Sequence, residues 1–356
     1  YPQEWIEVLV GWIGEGVNAL LPAGPVRDLL VDGVIGGVGS VIVFLPNIVI
    51  LYLFIAFMED SGYLARAAFI MDRIMHRIGL HGKSFIPLVM GFGCNVPAIM
   101  ATRTIESRSS RLITIMITPF MSCSARIPIY LLLAGTFFPG NSGLVMLCLY
   151  LLGILLAVVT SRLIRRFFFP VDETPFVMEL PPYRWPSMKN TLLHVGERVG
   201  HFLEKAGTII LLMSVVLWFL MRFTPTLEMT AETERSILGV VGGWIAPVFG
   251  PLGFGTWQAS VALLSGLVAK EAVNSSLSMF LGATGDALTD ALAGLFSPLS
   301  AYCFLVFVLL YVPCMAAVAT MRRELGSAKY MWFTAAYQIL VAYAVSLVVH
   351  ILGSLL

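Results

Sequence analysis

The chain has 356 residues and a formal net charge of +1; 58% of its residues are hydrophobic and only 12% are charged, with a mean hydropathy of +0.88. Soluble domains carry about 25% charged residues, and a folded surface in water needs polar cover that this chain does not have, so a water-soluble fold is excluded. No basic stripe with interleaved aromatics is present, and nucleic acid is not expected as a partner. The composition predicts an all-α, polytopic helical membrane protein with the lipid bilayer as its solvent.

Tyr1 opens an amphipathic stretch with Glu4, Glu7 and Glu15 and no basic n-region, so no cleavable signal peptide is expected, and the absent initiator methionine suggests a fragment or a processed chain. A bilayer core of ~30 Å takes about 20 apolar residues as helix, because backbone in hydrocarbon must satisfy its own hydrogen bonds. Residues 33–58 meet this as a first span. Residues 84–102 are apolar but interrupted by Pro87, Gly91, Gly93 and Pro97. Residues 112–161 contain one charge, Arg126, and a turn at Pro139-Gly140-Asn141-Ser142-Gly143, which predicts a hairpin of two spans. Another span is expected over 206–224. The stretch 236–269 is rich in Gly and Pro up to Gly255, so helix is predicted from about Trp257 onward. Spans at 298–321 and 330–356 complete the set.

The basic clusters at 103–111, 162–166 and 322–329 are expected on the cytoplasmic side, and the uncharged 137–143 outside. Basic residues then flank both ends of 84–102, which predicts a re-entrant or broken segment there. The expected organisation is an amphipathic interfacial segment at 1–33, a first transmembrane half at 34–165, a polar loop and amphipathic helix at 166–205, and a second transmembrane half at 206–356. A faint internal repeat relates Val96–Arg103 to Val312–Arg322, and Leu64-Ala65-Arg66-Ala67 to Val268-Ala269-Lys270-Glu271. Transporters are often built from two such halves with interrupted segments at the binding site.

Three local motifs carry the chemistry. Gly91-Phe92-Gly93-Cys94-Asn95-Val96-Pro97 cannot form an undisturbed helix, and irregular backbone at membrane depth survives only when buried or lining a wet cavity. Its freed carbonyls can coordinate a cation beside the Cys94 sulfur; a proline kink used for packing is the alternative. In Pro119-Phe120-Met121-Ser122-Cys123-Ser124-Ala125-Arg126, prolines at 119 and 128 bracket a thiol, two hydroxyls and a thioether. Arg126 there needs a partner or water, although Ser and Ala also serve close helix contact. Tyr311-Val312-Pro313-Cys314-Met315 sets a third thiol beside a proline.

Three of the five cysteines thus lie within four residues of a mid-membrane proline, while Cys148 and Cys303 sit in plain apolar helix and are assigned to packing. An odd count inside apolar segments argues against a disulfide framework. Sulfur ligands suit Cu(I), Zn(II) or iron rather than Mg(II) or Ca(II). The candidate ligands are Cys94, Cys123 and Cys314, with Gly93, Asn95, Pro97, Met121, Ser122, Ser124, Pro313, Met315 and Glu271 as candidate path-lining residues. Lys270-Glu271 also reads as a self-neutralising pair, and His76 and His81 as a solvated face. No phosphate loop, His-Glu-x-x-His or Gly-x-Ser-x-Gly motif is present, so no catalytic residues are expected.

These motifs, with Glu59–Phe69, Gly82–Pro87, Thr174–Pro181 and Ala269-Lys270-Glu271, resemble in order the membrane domain of the ferrous iron transport protein B family. The resemblance implies a multi-pass permease for Fe(II) in the bacterial inner membrane, with two gate-type pseudo-repeats and metal passage at Cys94, Cys123 and Cys314. It also implies that GTP and Mg(II) act only through an N-terminal G domain that this chain lacks, along with the first transmembrane helix. Small cytoplasmic Feo accessory proteins and a homo-oligomer are further implied partners. The segment between Leu281 and Pro298 is short against relatives that carry an insert there. The rival readings are an organic-solute, nucleoside-type permease, a membrane thiol redox or sensor protein, and a scaffold anchoring a G domain.

Overall fold

The computed structural model describes residues 2–20, 24–168, 183, 185–226, 228–230, 233–281 and 286–355. The Thr174–Pro181 motif lies outside them, as do residues 282–285 of the short segment before Pro298. In chain order the helices are α1 (Pro2–Leu20), α2 (Pro25–Asp28), α3 (Gly36–Asp60), α4 (Tyr63–Ile78), α5 (Phe85–Gly91) and α6 (Asn95–Ala101). Next come α7 (Arg108–Ile117), α8 (Ile127–Phe137), α9 (Ser142–Phe168), α10 (Met188–Phe202), α11 (Thr208–Arg222) and α12 (Ile237–Phe249). The last six are α13 (Trp257–Val268), α14 (Ala272–Leu281), α15 (Asp286–Leu295), α16 (Pro298–Leu310), α17 (Met315–Leu325) and α18 (Ala328–Leu355). The all-α class is as expected for a polytopic membrane protein.

The chain forms two compact units, Tyr1–Ala65 with Leu180–Leu238, and Arg66–Glu179 with Gly239–Leu356. In the first, Tyr52 and Ala56 of α3 pack on Val195 of α10. Thr191 donates to Asp60 at 2.8 Å, and Arg198 pairs with Glu59 at 3.0 Å. Trp5 and Trp12 of α1 are exposed, which suits an interfacial helix.

The second unit holds two similar series of elements, the second of them with α15 added between its hairpin and its broken span. A helical hairpin comes first, α5–α6 and then α13–α14. A broken span follows, α7–α8 and then α16–α17, and a long continuous helix closes each set, α9 and then α18. The hairpins fold back on themselves. Lys83 and Glu106, outside the two ends of α5–α6, pair at 2.6 Å, and the rings of Trp257 and Phe280 at the far ends of α13–α14 lie 5.6 Å apart. The basic ends of 84–102 therefore share one side, which resolves the conflict in its flanking charges. The Lys83 ammonium also holds the Glu106 carboxylate below its ordinary range.

Burial separates the two kinds of span. In the most apolar stretch of each, 78% of Arg108–Phe137 and 72% of Pro298–Leu325 is buried, against 28% of Ser142–Phe168 and 17% of Ala328–Leu355. The broken spans are therefore interior, and the continuous helices turn Leu144, Leu147, Leu151, Ile339 and Leu340 outward as a lipid-facing surface.

Three expectations are corrected. Residues 237–249 are helical despite Pro247, and α12 turns by 105° into α13; Gly242 permits this approach, since a Cβ there would meet Val261 at 2.5 Å. His81 is buried rather than solvated and accepts from the Lys83 backbone N–H at 3.2 Å. The repeat is registered differently from the local similarity: element order matches the α5–α6 turn with the α13–α14 turn, so Val96–Arg103 and Val312–Arg322 occupy non-equivalent places.

Candidate metal path at the helix breaks

Four of the helix breaks in the second unit concern the candidate residues. Each of the three proline-bracketed cysteines starts a helical segment: Cys94 is the residue capping α6, Cys123 caps the short 3-10 turn Ser124–Arg126, and Cys314 caps α17. The backbone of Cys94 and Cys123 is extended (φ −150° and −75°), and that of Cys314 is non-helical (φ −59°, ψ 156°). The Cys94 and Cys314 sulfurs face backbone N–H groups of the helices they begin, those of Val96 and Ala317. The fourth break, Ala269-Lys270-Glu271, joins α13 to α14.

A helix interruption strands carbonyls, and stranded carbonyls in a dry interior are costly. The side chains found here meet that need. Ser124 donates to the Gly93 carbonyl twice, from its N–H at 3.1 Å and its Oγ at 2.9 Å. Arg126, fully buried, donates to the carbonyls of Pro119 and Met121 at 3.3 Å. Gln338 Nε2 reaches the Met116 carbonyl at 3.2 Å, and Tyr337 donates to the same oxygen. Lys270 Nζ donates to the Val312 carbonyl at 2.7 Å and lies 3.2 Å from the centre of the Tyr311 ring. Tyr311 in turn donates to the Leu263 carbonyl at 3.4 Å. Each hairpin tip is thereby tied to the broken span of its own repeat.

The candidate residues separate into two sets. Gly93, Met121, Ser122 and Ser124 make structural bonds: Ser122 donates to the Tyr130 hydroxyl at 3.2 Å, and the others are bonded as above. Pro97 and Pro313 are buried in or beside the first turn of a short helix, where the missing N–H is tolerated. Asn95 is 4% exposed and its Oδ1 has no hydrogen-bond partner. Cys94, Cys314, Met315 and Glu271 are partly buried, and Cys123 is buried. Cys94 lies in electrostatic range of Cys314, Cys123 and Glu271, and Cys314 of Cys123, Glu271 and Lys270. The thiols thus share one region of the interior. Among the described residues no group of three or more His, Cys, Asp or Glu converges at the spacing of a metal cage. All five cysteines are free thiols; Cys148 is exposed on α9 and Cys303 is buried in α16.

Sequence reasoning singled out Lys270 and Glu271 as a mutual pair, and the structure separates them. Lys270 is 2% exposed and its partners are the Val312 carbonyl and the Tyr311 ring; among the described residues no carboxylate pairs with it. The fourth break had a legible signal: Lys270 and Glu271 are the only charges between 236 and 285. Asn274, three residues on, carries the second orphaned amide oxygen of a hairpin.

Two helical hairpins packed on two interrupted, interior spans define a polytopic helical membrane protein. The chain belongs to the Gate family and, within it, to the ferrous iron transport protein B group: the family model described as nucleoside recognition matches residues 41–137 and 203–328, and that of the ferrous iron transport protein B C terminus matches 146–198. It is 49% identical to the Fe(2+) transport protein A/Fe(2+) transporter FeoB fusion protein of Porphyromonas gingivalis, over 100% of this chain and 48% of that protein. It is 46% identical to the Fe(2+) transporter FeoB of Staphylococcus aureus (92% of this chain, 49% of the relative) and 44% identical to that of Methanocaldococcus jannaschii (99% and 53%). The chain therefore spans about half the length of these curated relatives. No solved structure matches it.

Proposed function

We propose that this chain is the membrane permease part of a ferrous-iron uptake transporter, and that Fe(II) crosses along the broken segments 91–97, 119–126 and 311–315. The observation that carries this reading is the recurrence of a thiol at the helix start after each of these breaks, all three in one interior region. Sulfur and amide oxygen suit a borderline divalent metal. Fe(II) would exchange part of its water for the sulfurs of Cys94, Cys123 and Cys314 and for the Asn95 oxygen, with Glu271 offsetting its charge. A transported ion must also leave, so an open, incomplete ligand set fits passage better than a closed cage. The relatives' names support iron as the cargo. A nucleoside-type carrier would need several unengaged polar side chains, and Ser122, Ser124, Ser265 and Ser276 are already bonded.

The same reading makes the chain a transporter rather than an enzyme. GTP and Mg(II) would act through a separate G domain, and Feo accessory proteins would be its cytoplasmic partners. The setting would be a bacterial inner membrane, with the end carrying Arg103, Arg111, Arg322 and Arg323 facing the cytoplasm. The test is anaerobic Fe(II) uptake by cells expressing the full-length protein, wild type against Cys94→Ser, with Zn(II) and Mn(II) competing. Losses around a metal site run to about 10–100-fold even for residues behind the ligands, so Cys94→Ser is expected to lower uptake at least about tenfold at normal membrane abundance. Unchanged uptake removes the thiol from the path.

A further inference from the structure

Asn95 and Asn274 hold matching places in the two hairpins of the second unit. Asn95 opens α6 and Asn274 lies in the first turn of α14, each just past its hairpin's tip. The side-chain oxygen of each is shut off from solvent and has no hydrogen-bond partner among the described residues. Asn95 as a whole is 4% exposed. The proposed function places Asn95 on the metal path and leaves Asn274 without a role.

The hydroxyls of the α13–α14 hairpin are all spent within the protein. Ser260 donates to the Thr256 carbonyl at 3.0 Å and Ser265 to that of Ala262 at 2.8 Å. Ser275 donates to the Glu271 carbonyl at 3.3 Å, Ser276 to the Ser265 hydroxyl at 2.8 Å, and Ser278 to the Asn274 carbonyl at 2.8 Å. The amide oxygen of Asn274 stands apart from this order. A buried acceptor left unmade is costly and rare, so two at matched places call for a partner from outside the chain. Position says which partner. Asn274 is three residues on from Glu271, and residues so spaced share a helix face. Glu271 lies in electrostatic range of Cys94 and Cys314, and Cys94 directly precedes Asn95. The two oxygens therefore border the region that holds the thiols.

We propose that Asn274 is a specificity-determining residue of the metal path: its amide oxygen, with that of Asn95 from the other hairpin, binds Fe(II) in passage beside the thiols. The assignment rests on the path proposed above and sets its chemistry. Sulfur alone favours Cu(I) and Zn(II), whereas carbonyl oxygen and water suit harder ions such as Mn(II). A mixed set suits the borderline Fe(II) ion. An amide oxygen also adds no charge to hold back an ion that must leave. Taking one oxygen away tilts the site toward the softer metals.

The measurement is anaerobic Fe(II) uptake by cells expressing full-length protein, with Mn(II) and Zn(II) as competitors. The quantity read is the Mn(II) concentration that halves uptake divided by the Zn(II) concentration that does so. Asn274→Leu keeps the size of the side chain without its oxygen and is expected to raise that ratio, because Zn(II) then competes better. The Fe(II) concentration for half-maximal uptake is expected to rise with it, by about tenfold. A ratio that is unchanged or lowered in Asn274→Leu, at normal membrane abundance, overturns the proposal even where uptake falls, since a merely structural asparagine would weaken uptake without sorting metals. Asn274→Asp keeps an oxygen in place and is expected to leave the ratio no higher than in wild type; a rise there overturns the proposal too. If Asn274→Leu does not reach the membrane, Asn274→Cys puts sulfur where the oxygen was. A raised ratio is then expected, and an unchanged one overturns the proposal equally. Cys94→Ser run in parallel separates the two readings. Normal uptake in Cys94→Ser with a raised ratio in Asn274→Leu removes the thiol from the path and keeps the oxygen. Lost uptake in Cys94→Ser with an unchanged ratio in Asn274→Leu keeps the path and removes Asn274 from it.

Discussion

Glu324→Gln is expected to be among the most destabilising single substitutions in the second unit. The Glu324 side chain is 3% exposed and takes two arginines: Arg103, which bonds both carboxylate oxygens, and Arg111 at 3.0 Å. Arg103 follows the α5–α6 hairpin and Glu324 ends α17, so the carboxylate joins the first repeat to the second. Breaking a fully buried ion pair costs about 3–5 kcal/mol, because the surviving charge stays buried. The arginines here keep 50% and 33% exposure, and solvent screening brings the expected loss to roughly 2–3 kcal/mol. Denaturation of detergent-solubilised protein would measure it. Removing Arg103 as well, in Glu324→Gln/Arg103→Gln, is expected to recover part of the loss, since fewer unpaired charges remain. A single variant as stable as wild type would show that the triad contributes nothing to holding the repeats together.

The second large effect is expected at Gly153. A Cβ there would lie 2.6 Å from the Phe120 carbonyl oxygen, a backbone atom that no rotamer change can move. The glycine lets α9 close onto the turn that precedes Met121, Ser122 and Cys123. Two terms compete in any replacement. Exchanging a mid-helix glycine gains about 1 kcal/mol in helix propensity, while overpacking a tight interior costs typically about 1–3 kcal/mol. For Gly153→Leu the steric term wins, and a net loss of about 2 kcal/mol is expected. Uptake is expected to fall with it, because the displaced turn carries Cys123. A stable, fully active Gly153→Leu would show that α9 does not brace the second break.

Much of this interior was legible in the sequence because the bilayer enforces it. Apolar runs of spanning length, ended by charges, located α3, α9 and α18; glycine with proline inside such a run located the break at Cys94, and proline alone those at Cys123 and Cys314. The basic residues on both sides of 84–102 made it re-entrant, and Lys83 meeting Glu106 is the physical form of that inference. What escaped was tertiary. Lys270 and Glu271 are neighbours in sequence, so they read as a pair; which carbonyl a buried ammonium chooses depends on where Val312 lies in space. Ser122 and Ser124 looked like available polar groups, yet stranded carbonyls and the Tyr130 hydroxyl engage them. Pro247 and the glycines around it looked like a helix breaker, because helix packing through Gly242 is invisible along one chain. The repeat register was misled by similar residues at non-equivalent breaks.

The central claim is that the thiols at the breaks face the metal, and the most direct test reads each sulfur separately. Full-length protein in membranes would be alkylated under anaerobic conditions with and without Fe(II), with Mg(II) as the control, and labelling at each cysteine followed by peptide mass. The account predicts that Fe(II) slows labelling of Cys94 and Cys314, that Mg(II) does not, and that Cys148 on the outer face of α9 is indifferent to both. Equal labelling rates at Cys94 and Cys314 with and without Fe(II) would contradict it.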